Sequence, residues 1–278
     1  MGNGLMSIGV RAMAASYAQM QTTSHNIANA NVAGFSRQST MLATAPGQST
    51  SEGFFGRGVN VVGVERAQDA FLTREAASSK ALSAMDAVRR DQLLQLESVF
   101  KNGEQGIGNS ISQFFSAMSD LASRPGDGPT RSVVLSRAQD MSLRFNEAGS
   151  ALTQLQTSVR QGLQASVDVV NGLAASIAKV NGDIASARGL GQSPNDLLDQ
   201  RDRLISQLSE HVQVSTIGAD DGTVAVFTGG GQRLVLGVLA ERLQVVPDLF
   251  DSSRAAVAIS EGAGLRRLSD DALGGGDI

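Results

Sequence analysis

Cysteine is absent from the sequence, so there is no disulfide framework, no thiolate nucleophile and no thiolate zinc site. The only imidazoles are His25 and His211, which leaves the usual metal and nucleophile constellations too few members. Tryptophan is missing too, and one Tyr and 10 Phe are spread over 278 residues, while Ala, Ser, Gln and Leu crowd long stretches. That is the composition of extended helices and not of a compact mixed core. The formal net charge is -4 and the pI about 5.2, so the chain lacks the basic field with which proteins neutralise phosphates, and nucleic acid is set aside as a partner. No run of about 18 apolar residues occurs, which argues against membrane insertion. The first basic residue is Arg11, so the N-terminus carries no charged region ahead of an apolar signal core and a cleaved signal is not expected.

What is present is heptad spacing. Met6, Val10, Met13, Tyr17, Met20 and Ile27 follow alternating four-and-three steps with Ser24 the one polar member, which is a coiled-coil seam. Many of the residues between are small, so a partner helix must cover the seam, and an isolated helix of this length is marginal in water. The expectation is a terminus that is disordered in the free monomer and orders on assembly. From Asn29 to residue 66, Asn31, Gly34, Pro46, Gly47, Gly53, Gly56 and Gly58 break any helical period, giving a loop-rich connector with one short strand at Val59, Val61, Val62 and Val64. A helix with Phe71, Leu82, Met85, Leu93, Leu96 and Phe100 then runs to about Lys101, and Gly103, Gly106 and Gly108 mark a turn. A shorter helix from Ile107 to Leu121 stops before Arg124-Pro125-Gly126.

The longest pattern starts near Thr130 and keeps four-three spacing from Val134 to Ile184, predicting a rod of roughly 75 Å. Gly149, Gly162, Gly172 and Gly182 inside it each cost about 1 kcal/mol relative to Ala. Close approach of a second helix is the favoured explanation, with a break in the helix as its competitor. Ser193 as cap, Pro194 at the first helical position and Asp196 as a capping-box acid open a last helix with Leu197, Leu198, Leu204, Ile205 and Leu208 on its apolar face. Asp199 and Arg203, one turn apart, form an expected pair. After His211 the period changes to two, through Val212, Val214, Thr223 to Phe227, Leu234 and Val235, so a β-rich region begins, one that reads as interrupted.

Few residues invite chemistry. Asp196, Asp199 and Asp202 recur every third position and could in principle share calcium, but a capping acid with solvated neighbours beside Arg201 and Arg203 is the plainer reading. His25 suits the last carbonyls of the seam helix, and His211 a helix-to-strand boundary. Gly229-Gly230-Gly231 lacks the Lys and following helix of a phosphate loop and reads as a hairpin turn. No catalytic, cofactor or metal residue is assigned.

The run Ser24-His25-Asn26-Ile27-Ala28-Asn29-Ala30-Asn31-Val32-Ala33-Gly34-Phe35-Ser36-Arg37-Gln38 closely resembles the N-terminal signature of flagellar rod, hook and hook-associated proteins. Its Ser-Arg-Gln ending resembles the first type of hook-associated protein, the FlgK family. Pro194-Asn195-Asp196-Leu197-Leu198-Asp199-Gln200-Arg201-Asp202 resembles the same family, and Phe114-Phe115 with Pro125 and Arg131 fits the segment between. The resemblance covers about residues 4 to 236. It implies a mainly α fold: an inner-tube coiled-coil segment with its connector (1–66), a long-helix rod domain (67–211), and the start of a β-rich outer domain (212–278). It further implies a structural subunit and no enzyme, forming a ring at the hook-filament junction outside the cell. Its partners would be copies of itself, hook protein, the second junction protein and the flagellar type III export apparatus, with no cofactor. Hook or rod subunits of the same superfamily, and a secreted effector carrying a helical export module, are the alternatives. Family members are longer and end in a helix that pairs with the N-terminal one. The expectation is therefore a fragment, without the chaperone site that the family keeps near its C-terminus.

Overall fold

A computed structural model describes residues 2–51, 53–100, 103–251, 254–262 and 264–278. The fold is mainly α, with long helices followed by small antiparallel sheets. Helix α1 (Gly2–Asn29) lies along a ribbon made by β1 (Gln38–Thr44) and β4 (Val59–Arg66), which pair antiparallel with a bulge at Met41/Leu42. A small hairpin, β2 (Gln48–Thr50) with β3 (Gly53–Phe55), interrupts the ribbon. The connector is thus more regular than its glycines imply. Its β1 strand, Gln-Ser-Thr-Met-Leu-Ala-Thr, carries no strong alternation in sequence and is fixed by β4 and by α1.

Helix α2 (Ala70–Val99) begins at Asp69, whose carboxylate accepts the N–H groups of Phe71 and Leu72. The expected end near Lys101 lies outside the described residues. Helix α3 (Ile107–Ser123) starts on Gly106, so Gly108 belongs to the helix and not to the turn before it. Helix α4 (Gly128–Gly189) is 62 residues long, about 93 Å at 1.5 Å per residue. It starts earlier and ends later than its heptads predict, because Asp127 caps Thr130 N–H and Pro129 sits in the first turn, where a missing donor does no harm. Arg131 donates to the carbonyl of Pro125 at 2.6 Å and closes the α3–α4 turn.

Three of the four interior glycines of α4 lack, among the described residues, the close neighbour expected of them. Nothing lies within 4 Å of a Cβ built at Gly149, Gly162 or Gly172, and Gly182 meets only a Val238 methyl at 3.4 Å. The helix is unbroken at all four. Among the described residues neither a close helix nor a break accounts for them. The seam is also only partly covered: Val134, Ala148, Val170, Ile177, Val180 and Ile184 are buried, whereas Phe145 and Val159 are exposed. At the C-terminal end the buried stripe widens to take in Val167, Ala174, Ala178 and the polar Asn181, since a sheet and not a single helix packs there.

Helix α5 (Asn195–His211) returns antiparallel along α4 and leads into a sheet of order β5-β6-β7-β8: β5 (Val214–Gly218), β6 (Val224–Thr228), β7 (Arg233–Leu236) and β8 (Leu239–Ala240). A second sheet has the order β11-β10-β9, from β9 (Leu243–Pro247), β10 (Ala255–Glu261) and β11 (Gly264–Arg267). One apolar core runs from Val167, Val170 and Ile177 of α4 through Leu208 of α5 to Val212, Val226, Leu234, Leu243, Ile259 and Leu273, crossing residue 212 without a gap. Burying a side chain such as Ile177 contributes about 1.5–3 kcal/mol.

Two asparagines fix α4 to this β region. The Asn181 amide donates to the carbonyls of Val224 and Gly237, both at 2.8 Å, and its oxygen accepts Val224 N–H at 3.2 Å. Asn171 does the same to Leu243, donating at 2.9 Å and accepting at 2.8 Å. Each carboxamide acts as one more peptide group at a strand edge. Gly229-Gly230-Gly231 does form the β6–β7 hairpin turn, and a Cβ at Gly230 would stand 2.5 Å from Ala272 Cα, so the turn is pressed against the 3-10 turn Asp270–Ala272. The last residues pack inward: Gln213 N–H donates to Gly275 O, Gly276 N–H to Ala81 O, and the Asp277 carboxylate accepts from His211 Nδ1 at 2.9 Å.

Candidate assembly interface and its joint

All six seam residues of α1 face solvent, with exposures from 62% at Tyr17 to 75% at Met6. The opposite face carries Ala15, Ala18 and Thr22, small enough for the helix to lie directly on the β1–β4 ribbon. Thr22 Oγ1 donates to Ala18 O at 2.9 Å and is 2.9 Å from Thr40 Oγ1, while Arg11 reaches Asn60 at 3.0 Å. One side of α1 is therefore held by its own chain. The other is a continuous apolar stripe with no cover among the described residues.

The signature residues sit where α1 gives way to the ribbon. Asn26 donates to Gln38 O and accepts Gln38 N–H, both at 2.8 Å, so the helix end and the first strand residue are locked by one side chain. Asn29 donates back to His25 O at 3.0 Å. The same Asn29 amide nitrogen lies 3.3 Å from His25 Nδ1. The His25 ring stands edge-on to Phe35, with centroids 5.5 Å apart, and its Nε2 lies 3.5 Å from Asp196. Gly34 has φ +76°, open to glycine, and a Cβ there would be 2.2 Å from Cγ of Arg203. Arg37 is exposed, and its carbonyl accepts Ala67 N–H at 2.8 Å.

The second signature lies directly opposite. Helix α5 is capped by Pro194 with no side-chain bond, so Ser193 is not the cap and Asp196 closes no capping box. Asn195 instead donates to Val64 O of β4 at 2.9 Å, and Asp196 Oδ1 takes the Gln38 amide at 3.3 Å. Asp199 is buried and not solvated as the spacing implies. Its two oxygens hold Ser36 N–H (3.0 Å) and Arg66 Nη1 (2.8 Å). The same nitrogen reaches Asp202 at 2.6 Å, and Gln68 adds a bond to Asp202 at 2.8 Å. The expected Asp199–Arg203 pair is replaced by this clamp because Arg66, at the end of β4, points straight at the acidic face of α5. Among the described residues no three His, Asp or Glu side chains gather as a metal site.

Arg201 faces the other way, into the protein. Nη1 donates to Gly222 O at 2.7 Å, tying α5 to the β5–β6 turn, and Nε has no partner among the described residues. Burial pulls its pKa below the ordinary arginine value, against the opposing attraction of Asp202, with Arg66 and Arg188 pushing in the same direction as burial. The two sequence signatures are thus halves of one joint between the α1–ribbon unit and α5. Arg66 and Gln68 escape a reading by motif, since they lie in the ordinary polar run Glu65-Arg66-Ala67-Gln68-Asp69 where a valine-rich strand gives way to the next helix.

The profile of the flagellar hook-associated protein FlgK helical domain matches residues 93–278, and that of flagella basal body rod protein matches residues 6–35. Flagellar hook-associated protein 1 of Escherichia coli (strain K12) is 31% identical over 99% of this chain and 51% of its own length. That of Salmonella typhimurium is 32% identical over 99% and 50%, and that of Bacillus subtilis 29% identical over 83% and 49%. The chain spans about half the length of these curated relatives. The solved flagellar hook junction protein FlgK from Burkholderia pseudomallei superposes with a TM-score of 0.68 at 28% identity, over 73% of this chain and 37% of that one.

Proposed function

We infer that this chain, which belongs to the flagellar hook-associated protein FlgK family, acts as a structural subunit of the junction between hook and filament in a bacterial flagellum. The observation that carries the reading is the bare seam of α1, six apolar residues in heptad register on a helix whose other face is already occupied. Such a stripe needs neighbouring helices, and copies of the same helix around a tube supply them. The joint of Asn26, Gln38, Arg66, Asp199 and Asp202 then carries load from that inner tube to α5 and the long α4 rod. In this reading the subunit leaves the cell through the flagellar type III apparatus, forms a ring with copies of itself, and bridges hook protein to the second junction protein.

The same seam would serve a hook or rod subunit, and the match at residues 6–35 belongs to that wider group. The match over residues 93–278 favours the junction. Deleting the gene and examining cells by electron microscopy, while assaying the medium for flagellin, separates the readings. Hooks without filaments, with flagellin lost to the medium, are expected. Missing hooks would move the protein to the hook or rod class, and intact filaments would overturn the assignment.

A further inference from the structure

Strand β5 is the outer strand of its sheet. Its register with β6, together with the bonds from Gly229 N–H to Gln213 O (2.8 Å) and from Ala219 N–H to Thr223 O (2.9 Å), fixes how its peptide groups point. In an antiparallel pair, residues bonded to the partner alternate with residues turned away from it. Ser215, Ile217 and Ala219 therefore turn toward β6, and Val214, Thr216 and Gly218 present their N–H and C=O groups on the free edge. Those three residues line a groove of about 720 Å³. Its far wall is the first turns of α2, from Ala70 to Lys80, and its floor is α5.

Exposed strand edges are ordinarily blunted by proline, lysine or a bulge, or covered by a helix. The sequence Val-Ser-Thr-Ile-Gly has none of the first two, β5 pairs with β6 without a bulge, and α2 stands off across the open groove. Just before β5 begins, Gly275 O accepts Gln213 N–H at 2.8 Å and Gly276 N–H donates to Ala81 O at 3.1 Å. Arg74 and Lys80 bring positive charge to the lining, Lys80 being shared with Glu210, while the Arg201 guanidinium turns inward to Gly222 O. Asp202 is the one acid among the described lining residues, and its Oδ2 is taken by Arg66 and Gln68.

We propose that this groove accepts an extended, acidic segment of a partner polypeptide, which pairs with β5 as an added strand and sets its carboxylates toward Arg74 on α2. The proposal goes beyond the junction reading and does not depend on it. Main-chain bonds from Val214, Thr216 and Gly218 supply the attachment, and the cationic wall selects the charge.

The probe is a synthetic heptapeptide alternating valine and glutamate, set against one alternating valine and lysine, with amide exchange followed by NMR on the whole 278-residue chain. In the free protein the amides of Val214, Thr216 and Gly218 exchange fast, and those of Ser215, Ile217 and Ala219 slowly. The glutamate peptide slows the fast set at least tenfold and binds at least tenfold more tightly than the lysine peptide. Thr216→Pro removes one outward N–H without touching the β6 ladder and weakens binding at least tenfold. If that variant fails to fold, Arg74→Glu, on the exposed face of α2, carries the test by reversing the charge preference. Unchanged exchange at the three edge amides would overturn the proposal, as would equal binding of both peptides. So would displacement of the peptide by equimolar inorganic phosphate, or self-association of the chain that protects the same amides.

Discussion

Arg66 Nη1 stands 2.8 Å from Asp199 Oδ1, joining residues 133 apart in sequence, and both side chains are almost wholly withdrawn from water. A buried pair of this kind contributes little net stability compared with apolar packing, yet losing one member strands the other's charge. Its contribution is to position: the ribbon can meet α5 in one register only.

Arg66→Met should therefore destabilise the protein by about 3–5 kcal/mol, while Arg66→Met combined with Asp199→Leu should recover a large part of the loss. Denaturant unfolding measures both. In the double variant, the amide of Ser36 should exchange faster than in the parent even where global stability returns, because its acceptor is gone.

Gly34→Val places a β-branched residue at φ +76° and drives its Cβ into the Arg203 side chain. Assembly should suffer more than secretion. The assay is the amount of this protein in the medium against the number of filaments per cell, and normal filaments would contradict the expectation.

Asn181→Leu leaves Val224 N–H, Val224 O and Gly237 O without their partner in a fully buried place. A loss of at least about 2 kcal/mol is expected from the desolvated groups alone. Asn181→Asp should be no better, since a carboxylate cannot donate to the two carbonyls.

Gly149→Ala and Gly162→Ala meet open space, so each should raise the stability of the free chain by about 0.5–1 kcal/mol. If either glycine is reserved for the close passage of a neighbouring subunit, the same variants form fewer junctions. Unfolding curves and filament counts on one pair of variants thus separate the two roles.

Val10→Asp and Met13→Asp lie on the uncovered seam and should move the midpoint of thermal unfolding little, as exposed substitutions change stability by about 0.5 kcal/mol or less. Filament formation should nevertheless fail. In the free protein, amides of residues 5–28 should show weak exchange protection, since a helix of this length held on one face only is still marginal. Strong protection there would show that the ribbon alone suffices to hold α1.

The seam of α1, the rod of α4 and the helix-breaking place of Gly34 were legible because each depends on spacing or on one residue's backbone freedom. The clamp was not, because what makes Asp199 special is Arg66, which local pattern cannot bring near. Asn171 and Asn181 were hidden for a related reason. A heptad reading treats a polar residue as the solvated side, and both asparagines point instead at strand edges that exist only once the β region has folded. Gly149, Gly162 and Gly172 of α4 show the converse error, where a sound sequence rule calls for a neighbour that the described residues do not supply.

Asn171 and Asn181 grip α4 at two places about 15 Å apart, both toward its C-terminal end, and the remaining shaft runs about 65 Å further to Gly128. This is the geometry of a cantilever. A single grip would locate the beam but let it pivot, whereas two fix its heading, and about 1 Å of play between them would swing the far tip by about 4 Å. Bonds so directional that a slide of one residue breaks them make such play expensive, so two carboxamides, together with the packing of Val167, Val170 and Ile177, set the aim of the shaft at its root.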